Sequence, residues 1–193
     1  MPKFSFTIHG LDMAKGFDGV FRGRPEPTVV VAAFAVANKH AVILGRDVVS
    51  FAAHSRFPSF AEGSLTRAYH VTNADAFVLL AAALEEDGGE DIKRTYAAME
   101  AANAIQLWSH EHRSPEPVHL SQLDPHWCVP QRCELEDELG PLSRAVSDKW
   151  IGAACWLSEK PRDAVNVRFH FRSEDRRNDW TLLVNADHAA PYA

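Results

Sequence analysis

Two runs of carboxylates, far apart in the chain, carry the oxygen donors that a hard divalent cation requires. The first holds Asp12 and Asp18; the second reads Glu85-Glu86-Asp87-Gly88-Gly89-Glu90-Asp91. Calcium takes roughly six to eight oxygen ligands, several of them carboxylates, on loops that can close around it. Neither run suffices alone, so a calcium site at Asp12, Asp18, Glu85, Asp87 and Asp91 requires the two to converge. The same residues also suit a plainer role. Carboxylates at 85–91 would face the positive end of a helix that starts there, and Asp12 and Asp18 would be solvated turn residues.

A second candidate is His110-Glu111-His112-Arg113-Ser114-Pro115-Glu116. On a strand His110 and His112 share a face, so together with Glu116 they would ligate one metal ion; otherwise the stretch is a polar strand end or loop. His126, Cys128 and Cys133 form a third cluster, for which zinc would need a fourth ligand such as His119 or Cys155. That spacing follows no established zinc pattern. No G-x-S-x-G elbow, phosphate-binding loop, dinucleotide fingerprint or H-E-x-x-H helix is present. Nothing in the sequence places a base beside a cysteine, and no catalytic residue is nominated.

The chain that must position these groups has 193 residues, 46 % of them apolar, which suits one domain, 1–193, with a core of its own. Its formal net charge is −6, with a pI near 5.9 and no basic block, so nucleic acid is a poor partner. Anionic lipid is equally poor unless a bound cation reverses the local charge. Three cysteines, an odd count, argue against a disulfide-stapled secreted domain. Met1-Pro2-Lys3-Phe4 reads as the start of a strand rather than a signal peptide. No apolar run is long enough to span a bilayer. The expected address is the cytoplasm.

Period-two alternation places strands at 3–9 and 165–171, and apolar runs between turn residues place others at 28–37, 41–51, 77–84, 150–157 and 180–184. Residues 65–71 form a further strand. Loops are expected at 11–27, 52–63 and 173–178. One helix is expected from about Glu90 to Trp108, where Ile92, Tyr96, Met99, Ile105 and Trp108 recur at helical steps. It would cover a sheet of its own domain or meet a partner. Residues 110–147 read as a long connection with short strands. The sum is a mainly β chain: an antiparallel sandwich of roughly seven or eight strands with one inserted helix. Between the inward residues of 165–171 lie Arg168, His170 and Arg172, a basic stripe on an acidic protein. It is either a partner-binding surface or a solvated sheet face.

Arg24-Pro25-Glu26-Pro27-Thr28-Val29-Val30 leads into the valine-rich strand, after the first acidic run and well before the second. This layout resembles the C2 domain family, which has a Ser-Asp-Pro-Tyr-Val pattern there; Glu26 stands in place of the aspartate. Glu85-Glu86-Asp87, followed by Asp91-Ile92, stands where it has Asp-x-Asp and then an Asp-Ile pair; Lys93 replaces the glycine that follows. Trp180-Thr181-Leu182 in the last hairpin is similar as well. The resemblance implies a non-catalytic module that docks on protein, or on lipid headgroups with calcium. His110, His112 and Glu116 resemble the first motif of the cupins, which would imply a metal-dependent enzyme instead. A third alternative is a structural subunit that assembles with itself through its helix and edge strands. The binding module is the reading that most of the chain favours.

Overall fold

The structure is a computed structural model that describes residues 3–16, 26–37, 40–53, 59–85, 150–158, 162–173 and 175–189. These residues form nine strands: β1 (Lys3–Lys15), β2 (Pro27–Ala37), β3 (His40–Ser50), β4 (Ala52–Ala53), β5 (Ser59–His70), β6 (Ala76–Glu85), β7 (Trp150–Ser158), β8 (Arg162–Arg172) and β9 (Asp179–Ala189). No helix occurs among them. The expected helix at 90–108 and the connection at 110–147 lie outside the described residues.

The strands make two antiparallel sheets. Sheet A has the order β4-β5-β1-β9-β8, and sheet B the order β3-β2-β6-β7. Alternation explains sheet A. In β9, Trp180, Leu182, Val184 and Ala186 point inward, while the residues between them are partly exposed. β8 does the same with Val167, Phe169 and Phe171. Sheet B obeys another rule. Every residue of β6 is buried, and nearly every residue of β2. Strands covered on both faces carry unbroken apolar runs rather than alternating ones, which is what 28–37 and 77–84 display.

The two sheets meet across one apolar core. Phe4 of β1 stacks on Phe77 of β6 with ring centroids 4.9 Å apart, and on Trp156 of β7 at 6.1 Å. At the opposite end, β7 passes β8 so that a Cβ at Gly152 would touch Phe171 and the Arg172 backbone. One rim therefore collects the ends of β1, β3, β6 and β8 and the starts of β2, β7 and β9. The arrangement is sandwich-like, as the alternation implied.

Several boundaries differ from expectation: β8 starts earlier, at Arg162, β9 runs on to Ala189, and three differences bear on the candidate residues. β1 continues to Lys15, so Asp12 sits in a strand and not in a loop. The register shifts between Ile8 and Gly10, and this bulge moves the inward set from Phe4, Phe6 and Ile8 to Leu11 and Met13. The change of parity hides the strand's second half from a period-two search. Glu85 closes β6 instead of opening a loop. Part of the expected loop at 52–63 belongs to β4 and to the start of β5.

Candidate partner-binding face

The outward side chains of sheet A form rows across four strands. One row runs Thr66, Thr7, Asn185, Asn166 from β5 to β8. Its hydroxyls meet at 3.1 Å, and Asn185 Nδ2 donates to Asn166 Oδ1 at 3.2 Å. The next row is Glu62, Gly10, Leu183, Arg168, and the third is Phe60, Asp12, Thr181, His170. Phe60 is 44 % exposed, a large value for a phenylalanine. Its ring lies over Gly10, so closely that a Cβ there would fall on the ring. Gly10 also has φ +157°, a backbone that side chains disfavour. The bulge glycine thus provides a flat seat for an exposed aromatic ring beside Leu183.

The basic stripe stands at the β8 side of this seat. Arg168 and His170 are exposed and Arg172 is half-buried. Asp179, opposite Arg172 at the start of β9, organises two of the three. Its Oδ2 accepts from Arg172 Nη2 at 2.9 Å and Nε at 3.2 Å, while its Oδ1 lies 2.7 Å from His170 Nε2. Two guanidinium N–H groups thus share one carboxylate oxygen in a charge-assisted contact, and the other oxygen is left for His170.

The β8–β9 turn holds this register. Ser173 Oγ donates to Asp175 Oδ1 at 2.6 Å and accepts from the Asn178 N–H at 2.9 Å. Asp175 also accepts from the Arg177 N–H at 3.0 Å. Hydrogen bonds to the charged form, first from Ser173 and then from Arg177, hold the Asp175 carboxyl below its ordinary range.

The expected metal ligands fare differently. Asp12 points outward from sheet A, whereas Glu85 is buried at the end of β6 in sheet B. Glu85 Oε1 accepts from the Glu26 N–H at 2.7 Å, which ties the start of β2 to the end of β6. Asp18, Asp87 and Asp91 lie outside the described residues, as do His110, His112, Glu116, His119, His126, Cys128 and Cys133. Cys155 belongs to β7 opposite Leu80. Among the described residues, no three His, Cys, Asp or Glu side chains cluster as a cation would need.

Besides Phe60, sequence reasoning missed three features. Ser158 Oγ lies 3.1 Å from His188 Nδ1, with Phe77 edge-on to the imidazole at 4.7 Å. At 0 % and 2 % exposure this Ser–His pair is shut off from any substrate and ties β7 to β9. Asp47 of β3 and Arg67 of β5 form an inward ion pair that bridges the two sheets. Asp179 is the third. Its role follows from the turn: once 173–178 reverse the chain, Asp179 must stand opposite Arg172.

Compared with models of known protein families the chain matches none, and it matches no curated protein either. No described helix is long and apolar enough to cross a membrane.

Proposed function

We propose that the chain is a non-catalytic binding module that presents the outer face of sheet A to a protein partner. One observation carries this reading. Asp179 holds His170 and Arg172 in place at the β8 side of a face that carries the exposed Phe60 ring over Gly10, so an ordered polar stripe and an exposed aromatic ring share one face. Interfaces have that anatomy, with an aromatic anchor inside a polar rim. Side chains ordered before contact lose less entropy on binding. Burial of the Ser158–His188 pair removes the one described serine–histidine arrangement from catalytic use.

A photoreactive phenylalanine analogue at position 170, used in extract from the native host, tests the proposal. A discrete protein adduct is expected from position 170 and from position 168, and none from position 42 on β3. Equal yields from all three positions, or none, would overturn it.

A further inference from the structure

Charge of both signs lies on each half of the outer face of sheet A. The β8 and β9 half holds Arg168 and Arg172 with Asp179 and Asp187; the β5 and β1 half holds Glu62 and Asp12 with Lys3 and Lys15. Phe60, on β5 with its ring over Gly10, and Leu183 on β9 are apolar side chains of the same face. A uniformly acidic or basic partner would therefore meet like charge on either half. A surface that sets opposite charge against Glu62 and Arg168, and against Lys15 and Asp179, fits both. Rotating this face by half a turn, about an axis parallel to the strands and between β1 and β9, produces that surface.

We propose that the outer face of sheet A pairs face to face with the same face of a second copy of this chain. The proposal rests on the binding-face reading above and names its partner. In this arrangement β5 lies over β8 of the second copy, and β1 over its β9. Glu62 then meets the second copy's Arg168, and Arg168 meets its Glu62. Phe60, on its Gly10 seat, faces the second copy's Leu183. Lys15 likewise meets the second copy's Asp179; an isologous contact makes each such pairing twice, and aligned sheets pack about 10 Å apart.

The area available is small. Four strands spaced about 4.8 Å apart, each about eight residues of 3.3 Å long, present roughly 500 Å² per copy. A standard interface buries about 800 Å² per partner. A face of this size belongs with weak, transient contacts, for which dissociation in the micromolar to millimolar range is expected.

Sedimentation velocity of the full chain, from about 10 μM to about 1 mM, tests it. The wild-type mass should rise toward that of a dimer with concentration. Glu62→Arg or Arg168→Glu alone should weaken association at least tenfold, since each creates two like-charge contacts. The two changes combined should restore it, and circular dichroism should show all variants folded. A monomer throughout, or a double variant as weak as the single ones, overturns the proposal. If position 170 still yields an adduct with a different protein, the binding face stands and only the second copy is excluded. If it yields no adduct, both readings fall.

Discussion

At Gly10 one missing methyl group decides the shape of the candidate face. The residue combines φ +157° with the Phe60 ring lying on its Cα. Gly10→Ala should therefore meet two penalties, backbone strain and displacement of the ring, together about 1–3 kcal/mol. Phe60→Ala removes only the second. Urea unfolding of the two single variants and the double variant separates them, with an expected coupling of about 1 kcal/mol. Additive losses would show that the ring and the glycine are independent. Asp175 sets a second residue-scale expectation, in pH. Its carboxyl is held below the ordinary value of 3.8, chiefly by the Ser173 hydroxyl. Near pH 4 the folded turn thus binds fewer protons than the unfolded chain. The stabilisation is complete above the ordinary value and fades as pH falls through the folded one. The side chain is 55 % exposed, so the effect is small. Asp175→Asn should flatten part of the acid limb in denaturation midpoints followed from about pH 6 to about pH 3. Parallel wild-type and variant curves would contradict the role of this turn.

Between elements, the open margin of β3 and β5 is bridged by charge rather than by apolar contact. Arg67 and Asp47 both point inward, and the phenol of Tyr69 lies beside them against Gly45. Burial raises the Tyr69 pKa first, Asp47 raises it further, and Arg67 opposes both. Asp47→Asn should lower it and Arg67→Gln should raise it. Difference spectra near 295 nm, with Tyr69→Phe subtracted to remove the other tyrosines, would show the two shifts; equal signs would refute the assignment. Since the phenol is raised in the fold, its contribution is present below about pH 10 and lost as pH climbs toward the folded value. No pattern in the sequence marks this pair, because inward charges break the alternation from which strand faces are read. The same logic sorts the other elements. β8 and β9 were legible because one face is wet, so Val167, Phe169 and Phe171 alternate strictly with Arg168 and His170. β2 and β6 were legible as strands but not as faces, since both of their sides are buried. Phe60 was hidden because Phe60-Ala61-Glu62-Gly63-Ser64 lacks the β-branched residues that announce a strand. Of the candidate site, the stripe could be read in advance and its apolar centre could not.

For the whole molecule, net charge and local charge pull in opposite directions, and their ranges decide the outcome. Each copy carries a formal charge of −6 at pH 7. Two such bodies with centres roughly 25 Å apart repel by about 2.5 kcal/mol at 0.01 M salt and about 0.3 kcal/mol at 0.15 M. The two Glu62–Arg168 contacts, at about 4 Å, lose only about 0.5 kcal/mol over that interval. Repulsion relaxes more than attraction, so self-association should strengthen by roughly tenfold or more as salt rises to about 0.15 M. Above that the long-range term is spent, and only the contacts remain to be screened. Association should then decline slowly, by a few-fold toward about 1 M. A maximum in the dimer fraction at intermediate salt is therefore expected in the sedimentation series. The charge-swapped double variant keeps both the net charge and the pairs, and should trace the same curve. A dimer fraction that only falls as salt is added would mean that the contacts outweigh the net repulsion even at low salt. One that only rises would mean that the pairs contribute nothing and the association is apolar.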